Sequence, residues 1–528
     1  MSNAGNFQSL VLAEPERSAF LEEIRGQVSA KNYERIESMI NAIEQLLRLI
    51  CQSRITMARL RRWALGTSTE KTKALYPPPA DTAPGGESKP GRKRKGHGRN
   101  GARHYTGACR VRVPHPSVQA GAICPECQKG KCRAWRAAVS IHVRAQPPIS
   151  ALIHEMESLR CDLCGQIFTA PTPPEAGTQK YDPSVGVMVS VLRYGSGMPF
   201  YRLERLQRSL GVPLPAATQW ELVAETAQAV EPIFEQLIDV AAQAQSLSND
   251  DTSMRVDALR REIKAEKDPE RTGIFTTGIV SGGQDPPIAL FFTGRRHGGE
   301  NLNEVLRRRQ GHLPTPLQMC DGLSRNEPRE YVTLLGNCLV HARRGFVDVS
   351  SDFPDECRHV LERVRDIYRL DAQTKEQNLS PDQRLLFHQT HSQPVMDQLQ
   401  KWLQEQIDQK KVEPNSGLGR AINYMLKRWE PLTLFLRQAG APLDNNVVER
   451  ALKMAILHRR NSLSYKTQRG AQVGDMFMSV IHTCGLSGLN PFDYLSALVA
   501  NAKSVRAQPA AWLPWNYREA LAKQTHIS

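Results

Sequence analysis

Between Ser246 and Val349 short β-rich runs alternate with short helical ones, and no other part of the chain restricts the possible fold as strongly. SLSNDDTSMRV reads as a short strand that carries carboxylates. RTGIFTTGIVSGGQDPPIALFFTGR follows as two β-rich runs around a Gly-Gly turn, the pattern of a hairpin. GGENLNEVLRRRQ then reads as a helix and LPTPLQMCDGL as a strand with Asp321 at its end. PREYVTLLG reads as another helix, and NCLVHARRGFVDV as a further strand or the start of a helix. Three strands, helix, strand, helix, strand is an order that sets an aspartate of the first strand beside one at the end of the fourth.

That order is the ribonuclease-H-like layout, and the position of its acidic residues carries a chemistry. Two divalent cations about 3.5–4 Å apart can activate water and stabilise a leaving oxygen, provided that neighbouring strand ends supply carboxylates. Mg²⁺ prefers such oxygen ligands and keeps water positions open for a phosphate. A third carboxylate is needed from a later helix, and Leu443-Asp444-Asn445-Asn446-Val447-Val448-Glu449 supplies one. Its Asp-Asn start suits a helix N-terminus, with Glu449 in the first turns. On the first strand two adjacent candidates compete, Asp250 and Asp251.

The rest of the chain is organised around this region. Tyr33, Ile36, Ile40, Ile43, Leu47 and Ile50 alternate spacings of three and four, the seam of a coiled coil or the buried stripe of an amphipathic helix. From Tyr76 to Gly107 the chain is rich in Pro, Gly and positive charge and almost devoid of apolar residues, as a flexible linker is. Lys89, Arg92, Lys93, Arg94, Lys95, Arg99 and Arg103 can there neutralise phosphates without reading sequence. Two CxxC knuckles follow, Cys124–Cys127 and Cys161–Cys164, and four such thiolates suit one structural Zn²⁺. Cys109 and Cys132 are left unassigned. Residues 181–245 read as helices, with a turn at Gly211-Val212 that resembles a helix-turn-helix.

A net charge of +15 points to a polyanionic partner, nucleic acid before membrane. No run of about 18 apolar residues is present, and the N-terminus lacks the layout of a signal peptide. Eleven cysteines fit a reducing compartment, so a cytoplasmic, nucleoid-associated bacterial protein is expected.

SNDDT, MCDGLSRN, NCLVHARRGF and LDNNVVERALK resemble successive signature blocks of the insertion-sequence-66 family of transposases. FFTGRRHGGENLNEVL, RRWALGTSTEKTK, PFYRLERLQRSLGVPL, INYMLKRWEPLTLFL and NPFDYLSALVANA extend the likeness over nearly the whole chain beyond about residue 30. The resemblance implies a DDE-type enzyme in which Asp250, Asp321 and Glu449 are the catalytic triad and hold two Mg²⁺ or Mn²⁺ ions. Water would attack a scissile phosphate in line, and the freed 3′-hydroxyl would then attack target DNA. The family usually has His-Ala-Asp-Glu-Thr at its first block, where Ser248-Asn249-Asp250-Asp251-Thr252 stands here, and an aromatic at the position of Leu323.

The expected architecture is thus multidomain α+β. It comprises an N-terminal helix or coiled coil (1–75), a basic linker (76–107), a zinc-binding domain (108–175) and a helical DNA-binding region (176–245). A ribonuclease-H-like α/β core follows in two parts (246–345 and 442–500), split by an α-helical insertion (346–441), with a C-terminal tail (501–528). Arg343, Arg344, Arg450 and Lys453 are further candidates for DNA contact, as are His341, Arg459, Arg460, Lys466 and Arg469; the alternative is a satisfied core histidine for His341 and a solvated basic face for the cations after Glu449. Expected partners are element ends and target DNA, a second copy of the chain or more, and accessory proteins of the same element, with no membrane. A ribonuclease-H-like nuclease, or a zinc-containing DNA-binding protein without catalysis, is the alternative.

Overall fold

The computed structural model describes residues 14–29, 32–34, 36–38, 40, 102–104, 113, 116–133, 147–160, 162, 164, 166–174, 177, 179–267, 269–283 and 286–525. The seam helix beyond residue 40, the basic linker with Lys89, Arg92, Lys93, Arg94, Lys95 and Arg99, and both Cys109 and Cys161 lie outside the described residues. The chain divides into two compact units, Pro79–Leu152 and the remainder. This boundary falls inside the stretch expected as one zinc-binding domain. No described helix is long and apolar enough to cross a membrane.

In the smaller unit the chain folds back on itself around the first knuckle. Gly121 N–H donates to Cys132 O (2.7 Å), Cys132 N–H to Ala122 O (2.8 Å) and Cys124 N–H to Gly130 O (2.7 Å). The larger unit opens with α1 (Glu14–Arg25) and continues with a two-stranded antiparallel hairpin, β1 (Ser158–Arg160) and β2 (Ile167–Thr169), whose strands flank the second knuckle in sequence.

Helices come next. Asp182 caps α2 (Pro183–Ser190) by accepting from Ser184 N–H, and α2 runs on into a single π turn, Val191–Gly195. Helix α3 (Phe200–Ser209) and the long α4 (Ala216–Ala242) flank a turn in which Gly211 takes φ +77°. That left-handed position costs a glycine nothing. The buried amide of Gln219 secures the turn by donating to Phe200 O (3.1 Å) and Leu214 O (2.9 Å). Val223, Ala227, Val230, Leu237 and Ala241 form a fully buried stripe on α4. The second helix of the expected helix-turn-helix is therefore a core helix along that face.

The sheet has five strands in the order β5-β4-β3-β6-β7. They are β3 (Ser246–Ser253), β4 (Phe275–Gly282), β5 (Ala289–Gly294), β6 (Leu317–Cys320) and β7 (Leu334–Asn337). β3, β4 and β5 pair antiparallel, whereas β6 and β7 join parallel to β3. Helix α5 (Asp257–Ala265) interrupts the first two strands, a helix that the pattern of three consecutive strands leaves out. Its signal is the pair Leu259 and Ile263, one turn apart and both buried. Helix α6 (Gly298–Leu306) follows β5 as expected.

One expectation needs correction. PREYVTLLG is no helix: after a 3₁₀ turn at Ser324–Asn326 the chain runs as a loop, and its Leu334–Asn337 end is β7. The helix is in the next block, α7 (Leu339–Asp348). Pairing with β6 satisfies the backbone of Leu334, Leu335, Gly336 and Asn337, and that tertiary partner decides the segment's state.

Four helices build the insertion: α8 (Pro354–Glu376), α9 (Pro381–His391), α10 (Gln393–Asp408) and α11 (Gly417–Lys427), with a short α12 (Trp429–Leu432). Val360, Leu361, Val364 and Ile367 of α8, Leu399 and Leu403 of α10 and Ile422 and Met425 of α11 share one core with Phe346 of α7 and Leu317 of β6. Trp402 and Trp429 pack against this core.

After the insertion come α13 (Asn446–Ser462), α14 (Gln468–Leu486) and α15 (Pro491–Ala500). The stretch read from sequence as a tail is folded. α16 (Ala502–Ala507) and α17 (Tyr517–Thr525) flank a buried Trp512, whose carbonyl accepts from Tyr494 Oη at 2.6 Å.

Candidate functional site

Side chains alternate between the faces of a strand, and this alone separates Asp250 from Asp251. Asp250 pairs with Gly278 of β4 and shares its face with the ground on which α13 packs. A Cβ at Gly278 would stand 3.0–3.1 Å from Leu452 and Val448 of α13, so the glycine lets the helix sit directly on the sheet. Asp251 faces the other side. Its carboxylate accepts from Thr277 Oγ1 (2.7 Å) and Gly298 N–H (3.0 Å), with His297 Nδ1 at 3.3 Å. Those contacts pin the start of α6 beneath the sheet.

Asp321 follows the last residue of β6. The register Ser246↔Leu317, Leu247↔Gln318, Ser248↔Met319, continued by two places, sets Asp250 opposite Asp321. Oδ1 of Asp321 accepts from Asn326 Nδ2 (2.6 Å) and Leu323 N–H (3.2 Å). Behind it stands a buried amide network that sequence reading missed. Asn249 Nδ2 donates to Asn326 O (2.8 Å), and Gln318 Nε2 donates to Asn249 Oδ1 (2.8 Å) and Asn326 O (2.8 Å). Such groups tolerate burial only when paired, so their pairing stiffens the loop that carries Asp321.

Glu449 lies in the first turn of α13. Two contacts aim this turn: Asn445 Nδ2 donates to Asn249 O (3.0 Å), and Asn445 N–H points at Cys338 Sγ (3.3 Å). Burial pushes the Asp250 carboxyl up to about 7, against the N–H of Asp251 that holds it down; the charges of Asp321, Asp251 and Glu449 add to the rise. The structure thus brings the three sequence-predicted carboxylates into one electrostatic cluster. Asp251 contributes charge to it, but its carboxylate is tied to the opposite face.

Other predicted residues divide by environment. Cys338, His341 and Glu449 each present one ligand atom within 4.8 Å of the others, a group able to hold a metal ion. His341 is not a satisfied core histidine, because its buried Nδ1 has no hydrogen-bond partner. Arg344, Arg450, Lys453, Arg460 and Lys466 are exposed, and Arg343 is half-buried. Arg459 instead reaches Thr252 Oγ1 (3.3 Å) and the Ser253 backbone, and Arg469 lies 3.8 Å from Glu231.

Sequence reading also missed the reach of the insertion into this site. Arg428 Nε and Nη2 donate to Gly322 O (3.2 and 2.9 Å), and the guanidinium lies 4.2 Å from the Tyr424 ring centre. No local pattern marks these two residues, since their partner is more than a hundred positions away.

At the first knuckle Gly130 N–H points at Cys127 Sγ (3.5 Å). The N–H groups of Lys129 and Gly130 and the neighbouring Cys124 hold the Cys127 thiol below its usual range. Cys132, unassigned from sequence, lies close enough for Cys124 and Cys127 to act on it, and burial first, then those two, push its thiol up. This donor set suits a thiolate-bound metal. Of the second knuckle's two cysteines only Cys164 is described, and it is exposed.

Residues 179–473 match the family described as Transposase IS66 family. Three curated relatives from Sinorhizobium fredii (strain NBRC 101917 / NGR234) are similar to the chain. The uncharacterized protein y4hP is 26% identical, with 69% of this chain and 68% of that protein covered. The uncharacterized protein y4jD is 24% identical over 92% of this chain and 98% of its own length. The uncharacterized protein y4qI is 22% identical, with 62% and 61% covered.

Proposed function

The chain belongs to the IS66 family of transposases, and from that premise we propose that it cuts element ends and joins them to target DNA through Asp250, Asp321 and Glu449. The observation that carries this reading is the convergence of three carboxylates from β3, the end of β6 and the first turn of α13, with Asp250 pushed up to about 7. The strand order β5-β4-β3-β6-β7, antiparallel on one side of β3 and parallel on the other, supports a ribonuclease-H-like core.

Like charges gathered under partial burial are costly without a cation among them, and Glu449 Oε1 is buried with no donor. These residues fit two Mg²⁺ or Mn²⁺ ions, which Asp250, Asp321 and Glu449 would hold. When bound, such ions lower the pKa of water and stabilise the leaving oxygen. The chain's own work is orientation. Asn326 and the Leu323 N–H fix one oxygen of Asp321, and Asn445 fixes the turn that carries Glu449. Arg343, Arg344, Arg450 and Lys453 supply phosphate contacts on α7 and α13, and the linker residues from Lys89 to Arg99 add sequence-independent ones. Cys124, Cys127, Cys161 and Cys164 hold one structural Zn²⁺. Two ends must be joined together, so a dimer or larger assembly is the working form, with accessory proteins of the element as further partners.

Cleavage of supercoiled DNA carrying the element's ends, with Mg²⁺ or Mn²⁺, tests the reading when wild type is compared with Asp321→Asn. The expected result is cleavage that vanishes in the folded variant. Equal cleavage by both proteins would overturn the site, and cleavage by neither would favour a binding protein without catalysis.

A further inference from the structure

Cys338 caps α7 and His341 sits in its first turn, so a spacing of three sets both side chains on one side of the helix start. Glu449 occupies the corresponding turn of α13. Leu339 N–H donates to Leu443 O (3.0 Å) and Asn445 N–H points at Cys338 Sγ (3.3 Å), so the two helix starts are tied to each other. His341 Nδ1 lies 3.8 Å from Glu449 Oε1, too far for a hydrogen bond. Both atoms are buried and neither has a hydrogen-bond partner. A buried imidazole nitrogen and a buried carboxylate oxygen that face each other beside a thiol without a hydrogen bond form an arrangement that a cation can complete.

We infer that Cys338, His341 and Glu449 form a second cation site, for a soft divalent ion of the Zn²⁺ class, which shares Glu449 with the proposed catalytic centre. Among the described residues this trio is the one group whose ligand atoms all lie within 4.8 Å of one another. A tetrahedral ion with bonds of about 2.0–2.3 Å spaces its ligands about 3.3–3.8 Å apart, so closure by about 1 to 1.5 Å at most completes the set. Thiolate and imidazole select Zn²⁺ or Co²⁺ over Mg²⁺, which takes oxygen ligands. The thiol proton leaves to solvent as the ion binds. Three protein ligands leave one position for water or a phosphate oxygen. A Glu449 engaged here is withdrawn from Asp250 and Asp321, so the soft ion opposes Mg²⁺ at the third carboxylate. Binding stands on the geometry of the trio; only this last consequence rests on the catalytic reading of Glu449.

Co²⁺ titration of the full-length protein tests the site through thiolate-to-metal charge-transfer absorption, with bound Zn²⁺ counted after dialysis. Wild type is compared with Cys338→Ser and His341→Ala. The knuckle cysteines contribute equally to all three proteins, so the readout is the difference. Wild type is expected to bind one ion per chain more than either variant, with a charge-transfer component that Cys338→Ser lacks and saturating Mg²⁺ does not remove. Identical spectra and stoichiometry in wild type and the variants would overturn the proposal. His341→Ala keeps the Asn445–Cys338 contact and carries the comparison if Cys338→Ser melts early. Cleavage assayed with Glu449→Gln keeps the two readings apart. Cleavage that needs Glu449, without a cobalt difference, sinks this site alone; a cobalt difference with Glu449-independent cleavage upholds this site and sinks the catalytic assignment.

Discussion

Asp250 and Asp251 are chemically alike and adjacent, yet opposite faces of one strand give them opposite tasks. Asp250 points toward α13, where Glu449 and Asp321 bear on its charge. Asp251 accepts from Thr277 and Gly298 on the other face. Asp250→Asn is expected to abolish metal-dependent cleavage, by about a hundredfold or more, in a protein that melts normally. Asp251→Asn should retain cleavage but lose about 1–3 kcal/mol of stability through its disturbed hydrogen bonds. Cleavage assays and denaturant midpoints on both variants check this, and the reverse pattern would exchange the roles. Gly278 makes a second point at this scale. A side chain there meets Leu452 and Val448 at 3.0–3.1 Å, so Gly278→Val must lift α13 from β4. Overpacking of this kind costs about 1–3 kcal/mol, and it should also cut cleavage by displacing Glu449. An unchanged melting point with full cleavage would refute that packing argument.

At the scale of elements, β5 is the edge strand of the sheet, and α14 stands where a sixth strand would pair. Thr293 N–H donates to Asp475 Oδ2 (2.6 Å), Phe291 N–H to Ser479 Oγ (2.9 Å) and Ala289 N–H to Thr483 Oγ1 (3.1 Å). Side chains four apart on a helix meet amides two apart on a strand, because about 6 Å separates both sets. The open edge is thereby closed to other strands. Burial pushes Asp475 up to about 7, although the hydroxyl and amide of Thr293 lower it. Its folded pKa stands above the ordinary value of 3.8, so its contribution is whole below about pH 4 and is lost as pH rises through 7. Asp475→Asn keeps an oxygen for the Thr293 N–H and removes the titration. Chemical denaturation of the two proteins at pH 4, 5, 6 and 8 should show a smaller fall for the variant, by a few kcal/mol in order of magnitude. Parallel profiles would mean that Asp475 does not titrate in this window.

Across the larger unit, the insertion shares its core with α7 and β6 and returns Arg428 to the loop that holds Asp321. It is therefore a second support of the site as well as an added helical layer. Arg428→Ala should lower cleavage by about tenfold, since a catalytic group displaced by a fraction of an ångström loses much of its advantage. Substrate affinity should change little, and Arg428→Lys should restore part of the rate. A loss confined to DNA affinity would make Arg428 a phosphate contact instead. For the two knuckles, removal of metal by a chelator is expected to release one Zn²⁺ per chain from their cysteines and to weaken binding to element ends. Cys124→Ser/Cys127→Ser is expected to hold one Zn²⁺ per chain fewer than wild type, and equal zinc in the two proteins would place that ion elsewhere.

Much of this site was legible because its carboxylates belong to local patterns. SNDDT lies in a β-rich run, Asp321 ends another, and Glu449 follows an Asp-Asn helix start; all three elements form where expected. The alternation of strand and helix likewise marked the mixed sheet, since apolar period and turn residues act over a few positions. The chain could not choose by itself between Asp250 and Asp251, or between helix and strand for Leu334–Asn337. Both depend on which surface packs on which face, a matter of partners far away in sequence. The same holds for Asn326 behind Asp321, Arg428 against Gly322 and the Cys338–His341–Glu449 trio. Local periodicity determined which elements exist and where the acidic residues sit on them. Tertiary packing alone decided which carboxylate faces the site and what holds it there, because hydrogen bonds and burial depend on distance in space.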